Sequence, residues 1–147
     1  MINKLKSQAL DNKPLLFDGL CFHPVMDLPE NLIVFDFSQG YDPQRTLDSP
    51  YGIGKYDECR PTMYTEPQFA ETARNIHMGI DLAAPVGTPV YAFYSGRVYA
   101  KGINPLPQDY GPTVITEHQL NGITLYAVYG HLSCVSLSAL SIGQLFQ

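Results

Sequence analysis

Two strand-like runs, GPTVITEHQL and ITLYAVYGHL, flank the dipeptide Asn121-Gly122. An Asn-Gly pair supplies the positive backbone angles of a two-residue type I′ turn, which joins antiparallel strands without splaying them. An antiparallel hairpin is therefore expected late in the chain. The turn also sets a register, in which Leu120 faces Ile123, His118 faces Leu125 and Pro112 faces His131. Upstream, GTPVYAF and GRVYAKG are two more strand-like runs, each opened by glycine and separated by Tyr94-Ser95. They predict a second pair of strands meeting at a tight turn.

Charge divides the chain near residue 75. Residues 1–75 carry 7 of the 9 basic and 11 of the 14 acidic side chains, leaving 2 basic and 3 acidic for residues 76–147. So few charges imply that the second half is mostly packed strand, or that something covers it. At 147 residues the chain can bury about two-thirds of its unfolded surface, enough for a true core. A net charge of -5 offers no cationic surface for phosphates, which argues against nucleic acid as a partner. No apolar run approaches the roughly 18 residues of a membrane span, and Lys4, Lys6, Asp11 and Lys13 interrupt the N-terminus, where no signal peptide is read. Cys21, Cys59 and Cys134 lie far apart without a C-x-x-C pair, which reads as reduced thiols in a cytoplasmic setting, the cell envelope being the alternative. Cys21 and Cys134, beside apolar neighbours, are expected to be buried.

The first half is punctuated by Pro14, Pro24, Pro29, Pro43, Pro50, Pro61 and Pro67, so long regular elements cannot run through it. Ile2, Leu5 and Ala9 could line one face of a short helix, and Leu32 to Phe37 reads as a strand. Pro67, beside Glu66, suits the first turn of a short helix over PQFAETARN. Residues 1–72 are thus an irregular segment with short helices, expected to pack on a domain spanning 73–147.

Four histidines could carry chemistry: His23, His77, His118 and His131. In the hairpin register His118 and His131 lie roughly 20 Å apart, whereas donors on one tetrahedral zinc are about 3.4 Å apart, so these two cannot share an ion. His23, in Phe22-His23-Pro24, reads as a loop histidine with a local hydrogen bond, although a segment crossing a groove could make it an inhibitory ligand. His77 and Asp81 form H-x-x-x-D in the stretch IHMGIDL. In a straight strand their alpha carbons would lie about 13 Å apart, too far to close on one ion. A bend is needed, and Gly79 lies between them to allow it. The pair is equally explained by a histidine ending a helix and an aspartate capping the following turn.

The run HMGIDLAAPVGTPVYAFYSGRVYAKG, then YGPTVITEH, then Asn-Gly-x-Thr-x-Tyr and YGHLS, resembles the lysostaphin-type zinc metalloendopeptidases over about residues 73–147. The resemblance implies a mainly β fold, an antiparallel sheet or sandwich of the duplicated-hybrid-motif type with its metal in a groove. It makes His77 and Asp81 zinc ligands and His131 an active-site histidine for acid-base work or transition-state stabilisation. It further implies hydrolysis of peptide bonds of the peptidoglycan cross-bridge type. Such enzymes carry a later H-x-H motif with the third zinc ligand and a second active-site histidine, which is absent here. The expectation is an incomplete site that binds zinc weakly or not at all and is inactive or weakly active, unless a further C-terminal segment or a protein partner completes it. The alternative is a non-catalytic peptide- or protein-binding module of the same fold. Similar domains also occur inside larger cytoplasmic proteins.

Overall fold

A computed structural model describes residues 17–41, 49–70 and 75–147. The fold is mainly β, as expected. The helix expected around Ile2, Leu5 and Ala9 lies outside the described residues. In chain order the elements are β1 (Ile33–Phe35), β2 (Gly52–Gly54), β3 (Glu58–Cys59), α1 (Pro67–Ala70), β4 (Ile76–His77), β5 (Asp81–Ala83), β6 (Gly96–Asn104), β7 (Gly111–Leu120), β8 (Ile123–Tyr129), α2 (Cys134–Ala139) and β9 (Leu145–Phe146).

The long strands follow from the hairpin. Asn121 and Gly122 both have positive φ, 47° and 83°, as a type I′ turn demands. Leu120 pairs with Ile123 and His118 with Leu125, and the register runs unbroken to Val114 opposite Tyr129. Beyond Tyr129 the ladder fails, and the expected pairing of Pro112 with His131 is shifted by one residue. His131 takes a positive φ of 55°, its N–H donates to the Tyr110 carbonyl at 2.6 Å, and it is Leu132 that donates to Pro112 at 3.0 Å. β6 and β9 complete a four-stranded antiparallel sheet in the order β8-β7-β6-β9. A bulge at Tyr99 interrupts the β6 ladder.

One expected strand is absent. Residues 87–93, GTPVYAF, join no sheet, and no turn at Tyr94-Ser95 pairs them with β6. Their backbone bonds go to the first half instead: Tyr91 N donates to Val25 O and His23 N to Phe93 O, each at 2.8 Å. The local pattern does not make a strand here, because the segment takes its backbone partners from a remote stretch of chain.

Val98, Val114 and Leu137 form the core, with Leu132, Leu140 and Phe146 packed against it. His118 is wholly buried there, its Nδ1 on the Ser95 carbonyl at 3.0 Å and its Nε2 on Thr116 Oγ1 at 2.7 Å. Both ring nitrogens are satisfied, so this histidine is structural. α2 is capped at its start by Ser133, whose hydroxyl accepts from Ser136 N at 3.0 Å. At its far end Lys101 Nζ donates to the carbonyls of Leu137 and Leu140.

Two smaller sheets sit on the first-half side. β1 runs parallel to β2, which pairs antiparallel with β5, and β3 pairs antiparallel with β4. Strands from before and after residue 72 therefore share both small sheets. The burial expected of Cys21 and Cys134 is not found: all three cysteines are free and exposed. Apolar neighbours in sequence did not translate into burial because those stretches are loop or helix surface. The low charge of the second half is only partly explained by packing, since Tyr99, Tyr126 and Val128 are about half exposed on the outer face of the large sheet. Tyr126 donates there to Glu117, which also accepts two hydrogen bonds from Arg97.

Candidate functional site

The two small sheets meet at the bend between His77 and Asp81. β4 ends with His77 opposite Glu58, and β5 begins with Asp81 opposite Gly54. The chain crosses from one sheet to the other in three residues, bending at Gly79. The crossing folds the H-x-x-x-D pair inward, so that His77 Nε2 lies 3.4 Å from Asp81 Oδ1. A straight strand could not have brought them together, and the helix-ending alternative does not apply, because both residues lie in strands.

The orientation of the imidazole is set from behind. Its Nδ1 lies 3.2 Å from the Lys55 carbonyl, which can only accept, so Nδ1 carries the proton. In the neutral ring Nε2 is then a lone pair. That lone pair faces a carboxylate oxygen, and two acceptors confront one another across 3.4 Å. Such a contact is repulsive unless the ring becomes doubly protonated or a cation lies between the pair. The separation equals the edge of a zinc tetrahedron with bonds near 2.1 Å. His77 and Asp81 therefore fit two corners of a divalent-ion site. Among the described residues, no group of three or more His, Cys, Asp or Glu side chains converges on a metal position.

The other face of Asp81 is occupied. Arg60 Nη2 donates to Asp81 Oδ2 at 2.7 Å, while Arg60 Nε donates to Glu58 Oε2 at 2.8 Å. Arg60 is only 3% exposed and its guanidinium lies 4.6 Å from the centre of the Phe37 ring. Burial opposes its charge, but the hydrogen bonds to Asp81 and Glu58 outweigh that cost and raise its pKa above the ordinary arginine value. Glu58 Oε1 accepts from Phe37 N at 3.0 Å. Lys55 reaches Asp36 at 3.0 Å, and the Ser38 hydroxyl together with Lys55 holds the Asp36 carboxyl far below the usual range. None of this network was read from the sequence. Glu58 lies in β3 and Arg60 just past its end, but the Arg60 partner Asp81 is 21 positions further along the chain.

His131 stands at the exit of β8. Its left-handed backbone is unusual for a residue other than glycine. It is held by the Tyr110 carbonyl, while the Tyr110 ring lies against Gly130, where a beta carbon would come within 3.0 Å of it. The imidazole is exposed, with no hydrogen-bond or ion-pair partner among the described residues. His23 is a loop residue, as expected, with Nδ1 on the Pro24 carbonyl at 2.7 Å; among the described residues it joins no metal-binding group.

An apolar cavity of about 570 Å³ opens beside the large sheet, lined by Val90, Phe93, Val98, Val114, Tyr129 and Phe146 among others. His77, Asp81 and His131 are not in its wall. The Tyr129 hydroxyl accepts from Phe93 N at 3.3 Å, and burial raises its pKa.

Residues 75–144 are similar to the model of peptidase family M23. The match begins just before His77 and takes in Asp81 and His131. No curated protein and no solved structure matches the chain. Among the described residues no helix is long and apolar enough to cross a membrane.

Proposed function

We propose that this chain carries a zinc metalloendopeptidase-like domain in which His77 and Asp81 supply two protein ligands and His131 serves the reaction as an active-site histidine. The observation that carries the reading is the 3.4 Å approach of His77 Nε2 to Asp81 Oδ1, a separation that one divalent cation bound to both atoms spans. The residues at hand have definable tasks. Lys55 holds the His77 ring so that Nε2 faces the site, and Asp81 contributes a negatively charged oxygen beside it. His131, exposed on a constrained turn, is available to orient a water or to stabilise an oxyanion through its ring N–H groups. Zinc, when bound, polarises a scissile carbonyl and lowers the pKa of a bound water toward neutrality.

The substrate class is peptide bonds of the peptidoglycan cross-bridge type. Catalytic zinc sites take three protein ligands, and the described residues bring two together, so zinc binding by this chain is weak and hydrolysis slow or absent without a third donor from another segment or partner. A second reading, a non-catalytic peptide- or protein-binding module, draws support from the apolar cavity, whose size suits side chains of a bound peptide.

Zinc titration against a chromophoric chelator separates the two. The expected result is saturable binding that His77→Ala and Asp81→Asn each abolish, together with slow zinc-dependent cleavage of cross-bridge peptides that His131→Ala lowers further. Zinc binding indifferent to both ligand substitutions would overturn the metal site. Peptide binding that needs neither zinc nor either ligand residue would favour the module.

A further inference from the structure

The Asp81 carboxylate has a second set of contacts that the reading above does not use. A carboxylate turns readily about its last torsion, whose preference is broad and twofold. Here it cannot. Arg60 grips Oδ2 at 2.7 Å, leaving Oδ1 to face His77. Arg60 is itself held on two sides, by Glu58 through Nε and by the face of the Phe37 ring. Space for this arrangement comes from β2. A beta carbon at Gly54 would lie 2.5 Å from Asp81 Oδ2, 2.8 Å from Asp81 Cβ and 3.1 Å from Arg60 Nη2. The first two are closer than beta carbons are found, and one of the atoms met is the root of the Asp81 side chain, so a side chain at 54 has to displace the carboxylate.

We infer that Arg60 and Gly54 are positioning residues for Asp81, and that they set the metal affinity of the His77/Asp81 pair. This inference rests on the metal-site reading given above. Outer partners that fix a ligand are worth about tenfold to a hundredfold in metal affinity. A guanidinium near a cation site also repels the ion, and the balance is decided by Glu58. Glu58, Arg60 and Asp81 together carry a net charge of -1, so Glu58 cancels Arg60 and the site keeps the pull of one carboxylate. What remains of Arg60 is its geometry. Gly54 acts by absence, and Arg60 by a hydrogen bond that a lysine can supply only in part, since an ammonium lacks the planar fork.

The test is zinc affinity by chelator competition and the visible spectrum of the cobalt-substituted protein, for the wild type, Arg60→Lys, Gly54→Ala and the double variant Arg60→Met with Glu58→Gln. The double variant avoids stranding a buried Glu58 charge, and circular dichroism checks that each variant is folded. Expected are zinc affinities about tenfold to a hundredfold weaker for Gly54→Ala and the double variant, a smaller loss for Arg60→Lys, and altered cobalt bands in all three. Folded variants that bind zinc as the wild type does, with an unchanged cobalt spectrum, would overturn the inference even if their melting temperatures fall. Should the double variant or Gly54→Ala not fold, Arg60→Lys decides alone by the same criteria. Absence of zinc binding in the wild type would overturn the metal-site reading and this inference together, a result distinct from wild-type binding that the variants leave unchanged.

Discussion

The large sheet and the corner between the two small sheets are held by different forces. In the sheet, strands of 9, 10 and 7 residues pair over long ladders and bury Val98, Val114, Leu120 and an internally satisfied His118. In the corner, strands of 2 or 3 residues are tied by a chain of charges running from Glu58 through Arg60 to Asp81. Burial in the sheet is nondirectional and spread over many contacts. Charge pairing in the corner is directional and depends on a few atoms, so the corner is the more fragile region and the better place to hold reacting groups in fixed orientation.

The comparison breaks most directly at Arg60. Arg60→Met leaves Glu58 buried without its partner, and losing one member of a buried pair costs about 3–5 kcal/mol. Urea unfolding should show this loss, and hydrogen exchange should show faster exchange in β3, β4 and β5 while β7 stays protected. Equal loss of protection in both regions would show that they are one cooperative unit. On the sheet side, Leu120→Ala removes a side chain that is 1% exposed and should cost about 2–5 kcal/mol, lowering protection across β6, β7 and β8. At the turn, the beta carbon of Gly122→Ala meets nothing within 4 Å, so its cost is purely that of a positive φ, about 1–2 kcal/mol. Ser133→Ala, which removes the cap of α2, should cost about 1 kcal/mol in the same assay.

The smallest expected effect is on acid stability. Hydrogen bonds from Arg97 hold the Glu117 carboxyl below its ordinary value of 4.5 in the folded state. A depressed folded pKa contributes stability that is full above the unfolded value and is lost as pH falls through the folded one. Thermal melts from pH 6 downward should therefore show a shallow loss beginning below about pH 5, and Glu117→Gln should flatten it slightly. The Arg97 side chain is half exposed, so salt should weaken the effect.

The difference between the regions also explains what the sequence disclosed. A type I′ turn is chosen by two adjacent residues, and everything in β7 and β8 up to Tyr129 follows from it by counting. The register failed only where Gly130 and His131 leave the strand and Tyr110, across the sheet, captures the backbone. The H-x-x-x-D pair was legible because its closure needs a single local bend. Arg60 and Gly54 were not, because their roles depend on which strand lies beside Asp81, and neither periodicity nor composition gives that neighbour. Residues 87–93 illustrate the same limit: their apolar pattern is local, while their backbone partners at 23–25 are not. Thiol burial failed for a related reason, since flanking apolar residues do not report which way a loop side chain points.

The central claim is that His77 Nε2 and Asp81 Oδ1 share a divalent ion. Crystals soaked in zinc and measured on both sides of the zinc absorption edge test it most directly. The expected result is an anomalous peak about 2.0–2.2 Å from both atoms, with Arg60 still on Asp81 Oδ2. A direct contact between His77 and Asp81 with no anomalous density between them, in crystals where zinc is bound elsewhere, would contradict it.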